Sequence, residues 1–485
     1  MGSVVDFRQV RDLPLNGRHF LDLAELSAGA RDITPASNLF STNIGPPSRT
    51  VVLPGTLPNA VNYYLNGINV TGSRDGELAL SPSIAGIDQF RVQESFVLPE
   101  HGINPAVVNI VTRSGTNKVH GEGYEFFRNR IFDARSFFAP TRDDVKLNQF
   151  GGAVGGPIRK NRVWFHAFYE GLRELTAFSA AGYSPSPEMF AGDFRATGRI
   201  IYDPGSYRSE TGVRTPFGNS TIPANRINPV ARNLLTYYRP GSSLSSRPTN
   251  ISGNPARTLH DDQGGGRVDV ALSPRSQLFG QFFRQNAPSK QSGLFPLSGL
   301  LYQNESTLAM AHHSWSLSAN AQNSIRFGFL RNAAVGGNEA RELGPLLDQI
   351  GITNTFDRNG VSAVNLQGYS SFGRSNGEVG NRDNTWQFDE EFTLVKAGHS
   401  LAAGAGVRYR RGWHLNGNSS AVGGLSFQAA FTAQLTLNSQ GQLAPVAGTG
   451  DSFADFLLGL PVSGMLVGLP VVQFRATQWT PFFQD

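Results

Sequence analysis

His260-Asp261-Asp262 brings an imidazole and two carboxylates together in three consecutive residues, the donor types of a divalent-metal site. Consecutive residues on a strand point to alternate faces, so the three do not converge on one ion, and a solvated loop or strand start is the favoured reading. His312-His313 fails on the same geometry, and the nine histidines include no HExxH pattern. Asp389-Glu390-Glu391 offers the carboxylates of a glycosidase, but adjacent residues cannot flank a sugar from two sides. The run Gly151-Gly152-Ala153-Val154-Gly155-Gly156-Pro157 has the glycines of a phosphate cradle without its GK[ST] ending, and proline leads it into a strand. Close strand packing explains those glycines better. The GxSxG string Gly373-Arg374-Ser375-Asn376-Gly377 lacks the preceding apolar strand and following helix of a nucleophile elbow, so it reads as a loop. No residue is therefore assigned a catalytic, cofactor-binding or metal-binding role, no cofactor is expected, and the chain is not expected to be an enzyme.

The elements that carry these residues are β-rich. Among 485 residues, 55 glycines and 34 phenylalanines with only 16% charged residues suit many turns and aromatic-bearing strands better than helix bundles. The absence of cysteine removes disulfide scaffolds, thiolate metal sites and cysteine nucleophiles. The formal charge of +5 rests mostly on arginine and is scattered along the chain, whereas a nucleic-acid partner calls for a clustered stripe. The opening residues show no basic n-region or apolar h-region, so the protein is either cytosolic or its beginning is missing. The most apolar stretch, 453–472, is interrupted by Asp455, Pro461, Pro470 and glycines, which argues against a spanning helix.

Texture changes near Lys118. Before it, residues 13–27 carry Phe20, Leu23 and Leu26 at near-helical spacing, with Asn16 or Gly17 as the start and Gly29 as the stop. Residues 62–70 read as strand, Asn66-Gly67 turn, strand, because both turn residues tolerate positive φ. Pro82 opens a short helix running into Phe90-Arg91-Val92, and 107–112 is another strand, giving a compact α/β unit.

After Lys118, ten segments alternate aromatic, apolar and polar residues: 120–129, 148–156, 162–173, 264–272, 276–285, 306–319, 323–332, 384–394, 399–410 and 474–484. Ser314, Ser316 and Ser318 interleave with Trp315, Leu317 and Ala319, the period that puts polar groups on one face. The connections 157–161, 273–275, 320–322 and 395–398 are tight, and those between them are long, turn-rich and partly mobile in this reading. A meander alternating tight and long connections is the arrangement of outer-membrane barrels. The aromatics Trp164, Phe165, Phe168, Tyr169, Phe279, Phe282 and Phe283 have two readings, an ordinary core or a lipid-facing band.

Residues 10–20 (VRDLPLNGRHF) resemble the plug-domain opening of TonB-dependent receptors of the Oar-like type. The resemblance continues through Tyr64-Leu65-Asn66-Gly67, Asp88-Gln89-Phe90-Arg91-Val92, and the run from Val108 and Asn109 through Arg113 to Asn117. It then runs through His120 to Phe126, Asn148 to Gly152, Gly155 to Ile158, 451–461 (DSFADFLLGLP) and 482–485. It implies a mainly β fold: a small N-terminal α/β plug domain over 1–118, then an incomplete antiparallel transmembrane β-barrel over 119–485 with long extracellular loops, about ten of about twenty-two strands. Such a fragment, without a signal peptide or TonB-interacting segment and with two open edges, is not expected to form a working pore alone. The implied function is TonB-energised uptake across a bacterial outer membrane. The implied partners are the TonB complex, outer-membrane lipid and an unknown transported ligand, with no nucleic acid. Under this reading Asn16, Gly17 and Arg18 seat the plug's first helix, Asn66 and Gly67 form its hairpin turn, Asn109 lies in its last strand, and Arg91 and Arg113 make polar contacts with the barrel wall. The rival readings are a non-transporting adhesion or surface-assembly protein on the same scaffold, and a soluble secreted β-rich glycan-active protein.

Overall fold

The computed structural model describes residues 2–6, 19–26, 29–32, 51–53, 56–57, 60–73, 76–94, 106–132, 134, 144–177, 179–209, 212–242, 249–415, 420–437, 439–468 and 471–485. Before Lys118 these residues form a mixed sheet of β1 (Gly2–Asp6), β2 (Val61–Leu65), β3 (Ile68–Asn69), β4 (Ile87–Glu94) and β5 (Ala106–Thr112), in the order β1-β4-β5-β2-β3. Only β2 and β5 run parallel. Alternation along β2 and β5 buries Val61, Tyr63, Leu65, Val108 and Ile110 together with Phe20, Leu21 and Ala24. The helix expected over 13–27 is described only as a 3-10 helix at Phe20–Leu26, and the helix expected at Pro82 is the single 3-10 turn Ile84–Gly86, capped by Ser83 Oγ accepting from Ala85 N at 3.2 Å. Among the described residues the unit is thus a sheet flanked by 3-10 turns rather than an α/β layer. Gly72, Gly76 and Pro82 punctuate the chain between β3 and β4 and leave room for no more than a turn.

After Lys118 the chain builds one large antiparallel sheet, the wall. Its strands are β6 (His120–Asn129), β7 (Asp144–Arg159), β8 (Val163–Ala177), β9 (Ala256–Ser273), β10 (Ser276–Asn286), β11 (Leu300–Ser318), β12 (Ala321–Asn338), β13 (Val379–Lys396), β14 (His399–Leu415) and β15 (Val471–Gln484). Each pairs with the next in chain order, and the short strand Ser289–Gln291 adds to β9 and β11. Every segment expected from the sequence lies at least in large part within one of these strands. Most strands are longer than expected, reaching 19 residues in β11, and most of the extra residues lie on the side of the long connections. A tilted strand crosses a bilayer in about 9–11 residues, so the ladder continues well past the length that apolar alternation marks in the sequence.

Alternation divides the wall into two faces. Ala153, Phe168, Phe283, Leu308, Met310 and Leu330 pack against the N-terminal unit. Residues of opposite parity leave large apolar side chains exposed, among them Val154, Val268, Phe282, Trp315, Phe327 and Phe388, with Trp479 70% and Phe483 68% exposed. The aromatics left with two readings therefore do both: Phe168 and Phe283 belong to the shared core, while Tyr169 and Phe282 face outward.

The described parts of the long connections fold together. Met189, Phe194, Tyr238, Leu347, Phe372 and Phe427 form a second apolar cluster with Phe453 and Phe456. Residues 451–461 supply its central helix, Ser452–Leu458, begun by Asp451 Oδ1 accepting from Phe453 N at 2.8 Å and ended by Gly459 at φ 71°. Among the described residues no helix is long and apolar enough to cross a membrane. Asp455 of this helix accepts from Phe431 N (3.1 Å), Thr432 N (2.9 Å) and Thr432 Oγ1 (2.6 Å), fixing a neighbouring loop. Burial pushes its carboxyl up to about 6 despite those donors. A carboxyl whose folded value lies above its unfolded value contributes stability below the unfolded value, and that contribution is lost as pH rises through about 6. The Phe431 and Thr432 amides are therefore expected to exchange at least about tenfold faster at pH 7.5 than at pH 4.5 after correction for intrinsic rates, and Asp455→Asn removes the dependence. Hydrogen–deuterium exchange mass spectrometry checks this, and a flat profile in the unaltered protein refutes it.

Candidate functional site

The N-terminal unit meets the wall along a junction of polar side chains, and the β2–β3 hairpin tip is its centre. Asn66 and Gly67 take φ 48° and 87°, the paired positive values of a two-residue hairpin turn, which glycine adopts without strain. The turn aims Asn66 at the wall: its Nδ2 donates to Gln281 Oε1 of β10 at 2.7 Å and to Thr112 Oγ1 of β5 at 2.7 Å, while Thr112 N donates to Asn66 Oδ1 at 3.1 Å. Thr112 Oγ1 also donates to Gln281 Oε1 at 3.1 Å, and Arg267 of β9 donates to the Thr112 carbonyl at 3.2 Å. One wall glutamine and one wall arginine thereby hold the hairpin tip and the end of β5 together.

A second cluster centres on Glu170, a buried carboxylate on β8. Ser83 Oγ and Tyr124 OH donate to its Oε2 at 3.0 and 2.7 Å, and Gln263 Nε2 donates to Oε1 at 3.1 Å. The carboxylate is isolated from water, and these three donors are what make its burial tolerable. Further along the junction, Asn69 N donates to Gln387 Oε1 of β13 at 3.0 Å, Ser306 Oγ of β11 donates to the Ala79 carbonyl at 2.6 Å, and Ser73 Oγ bonds Asp383.

Of the residues singled out in the sequence, Asn66 and Gly67 stand at this centre. Arg113 pairs with Glu122 of β6 at 2.8 Å. Arg91 is exposed on β4, opposite Asn109 in register, and none of the described contacts joins it to the wall. Asn109 is half-buried, with its side-chain oxygen unbonded among the described residues. Asn16, Gly17 and Arg18 lie outside the described residues. Sequence reading missed the junction roles of Ser83, Tyr124, Glu170, Gln263, Arg267 and Gln281; the five on the wall share one signal, a polar side chain on β6, β8, β9 or β10 at the parity of the inward face.

Between the hairpin tip and β12–β15 lies a cavity of about 240 Å³, bordered by Tyr64, Gly67, Arg326, Asp389, Glu391 and Arg408. Arg326 pairs with Glu391 at 3.0 Å, so the cavity presents charges of both signs. Among the described residues no three His, Asp or Glu side chains gather as metal ligands. The adjacent acids and histidines fall on opposite faces. Asp261 takes the amide of Gln285 inward at 2.8 Å, while Asp262 pairs with Arg173 outward at 2.8 Å. His312 bonds Ser324 at 2.8 Å and His313 bonds Ser276 at 2.9 Å.

Residues 111–485, which build a wall that meanders in chain order with apolar side chains on its outer face, match the model of the outer membrane beta barrel domain family. The chain belongs to the outer membrane β-barrel domain family. The TonB-dependent transporter Oar of Myxococcus xanthus is 28% identical over 159 residues, which is 31% of this chain and 14% of that protein. The crystal structure of the outer membrane transporter YddB from Escherichia coli superposes with a TM-score of 0.58 at 12% identity, covering 99% of this chain and 54% of that one. The chain thus spans about half the length of that transporter and a small part of the Oar protein. In this outer-membrane β-barrel domain protein the similarity to YddB extends over the N-terminal unit and the wall alike, at the level of fold.

Proposed function

We propose that this chain is the plug and part of the barrel wall of an outer-membrane receptor that takes up a solute with energy from TonB. Residues 1–118 form the plug and 119–485 the wall. The observation that carries the reading is the junction: a small separate sheet held against the inner face of a membrane-type wall by a row of side-chain hydrogen bonds beside a shared apolar cluster. Polar contacts exchange for water at small net cost, about 0.5–1.5 kcal/mol each, so a pulling force can release them one after another. The similarity to the Oar transporter supports the same reading. In a bilayer the free edges of β6 and β15 require pairing with other strands, since lipid satisfies no backbone group. The cavity beside the hairpin tip, with its Arg326, Asp389, Glu391 and Arg408, is the stretch of lumen through which a polar solute passes once the tip withdraws.

The test is accumulation of radiolabelled ferric siderophore, oligosaccharide and peptide probes by cells expressing the whole receptor of which this chain is the plug and part of the wall, with TonB present or deleted. Accumulation of at least one probe that vanishes without TonB is the expected result. Accumulation that persists unchanged without TonB refutes the mechanism.

A further inference from the structure

One row of the outward face breaks that face's apolar pattern. Register carries it from Arg284 on β10 through Thr307 to Arg331 on β12, and on through Asn384 to Arg411 on β14 and Arg475 on β15. All four arginines are exposed. Among the described residues none of the four forms an ion pair, while arginines elsewhere in the wall, such as Arg173, Arg267 and Arg326, do. Arg331 donates to Asn384 at 3.2 Å, which leaves its charge uncompensated. Strands lie about 4.8 Å apart, so Arg284, Arg331 and Arg411 recur about every 10 Å, and Arg411 and Arg475 stand directly opposite each other. Like charges opposed across a ladder destabilise a sheet unless a counter-charge is supplied.

What lies on either side of the row indicates the source of that counter-charge. Two residues nearer the tight turns, the same face shows Phe282, Ala309, Phe329, Trp386 and Tyr409. Two residues nearer the long connections, the face brings in Asn286, Glu305, Arg382 and Gln473 beside Ala333 and Trp413, and it opens into a groove of about 700 Å³ that Arg331 borders. The groove's other basic residues are already matched: Arg341 pairs with Glu378, and Lys290 lies 3.7 Å from Glu339. The four arginines therefore sit at the boundary between an apolar belt and a polar surface, which is where a lipid carries its phosphate.

We propose that this row binds the phosphate groups of an anionic lipid in the leaflet on the side of the long connections. Each guanidinium takes phosphate oxygens in a two-pronged bond, and the acyl chains lie along Phe282, Phe329 and Trp386. A free phosphate ion has no use for that adjoining apolar surface. The proposal rests on the reading of the outward face as lipid-facing.

The experiment is native mass spectrometry of the detergent-purified protein incubated with phosphatidylglycerol or with phosphatidylcholine of the same acyl chains. Retention of phosphatidylglycerol at least about tenfold above phosphatidylcholine is expected. The variant R284Q/R331Q/R411Q/R475Q loses that excess, and the corresponding four-lysine variant keeps most of it. In lipid-free detergent the glutamine variant should melt no lower than the parent, because the Arg411/Arg475 repulsion is relieved; R411Q/R475Q carries the test if the fourfold variant does not fold. Unchanged phosphatidylglycerol retention in the glutamine variants, or displacement by an equal concentration of inorganic phosphate, overturns the proposal. Equal retention of both lipids overturns it while leaving the lipid-facing reading intact, and retention of neither overturns both.

Discussion

If the proposed uptake function holds, oxidation of the whole receptor carrying Ile68→Cys and Gly328→Cys is expected to abolish uptake, and a reductant is expected to restore it. Ile68 begins β3 at the hairpin tip, and Gly328 faces it from the middle of β12. A Cβ built on Gly328 would lie 2.8 Å from Ile68 Cδ1 and Cγ2, so glycine is there because the hairpin comes this close. Cysteine in place of Ile68 removes those outer atoms, and because Ile68 Cβ lies one bond from the contacting Cγ atoms the two Cβ groups come within the reach of a disulfide, which spans about 3.5–4.5 Å. The chain holds no other cysteine, so no competing pair forms. A bond here fastens the N-terminal unit to the wall beside the Asn66–Gln281 contact, which opens in the proposed mechanism. Uptake by the oxidised protein should fall by about two orders of magnitude or more, because one covalent bond exceeds the whole set of polar contacts it bypasses. Ile68→Cys alone should transport at close to the parent rate, and the reduced double variant, in which the smaller cysteine side chain at position 68 makes room for the new side chain at 328, separates the lock from any packing effect. An oxidised double variant that transports normally would show that the solute passes without movement of the hairpin.

Glu170→Leu is expected to cost the seating of the N-terminal unit about 2–4 kcal/mol, since a buried neutral donor that loses its acceptor costs roughly 1–3 kcal/mol. The substitution deprives Ser83, Tyr124 and Gln263 of their common acceptor at once, and Ser83 also caps the 3-10 turn that leads into β4. The Gln263 amide would then be enclosed without that acceptor, while Ser83 and Tyr124 would keep their contact with each other at 3.1 Å. Glu170→Gln keeps one acceptor oxygen and should cost roughly 1 kcal/mol. Hydrogen exchange at residues 83–92 is the readout. Loss of protection in the leucine variant that leaves the second apolar cluster around Phe453 unchanged places the effect at the junction, and equal protection in both variants defeats the prediction.

The sequence by itself determined the wall. Period-two alternation is a local property, and the segments around Phe165, Phe282, Trp315 and Phe388 show it without reference to any partner strand. The tight connections were legible for the same reason, as was the Asn66-Gly67 hairpin, whose two residues take the positive φ that their types tolerate. The separation of His260 from Asp261, and of Asp389 from Glu390, also followed from strand geometry alone.

Strand ends on the side of the long connections were not legible. There Asp261, Glu305 and Arg382 make both faces polar, and the ladder continues because neighbouring strands extend with it. The order within the long connections was hidden because its cluster draws Met189, Phe372 and Phe453 from three separate stretches, none with a periodicity of its own. Only the tertiary structure decided the junction. Asn66 and Gln281 are 215 residues apart, and Ser83 and Glu170 are 87 apart, so nothing in the local pattern of either residue names the other. The row of arginines is of the same kind. Arg284, Arg331, Arg411 and Arg475 are scattered in sequence and aligned by register, which is fixed by the burial of the inward face along the whole sheet.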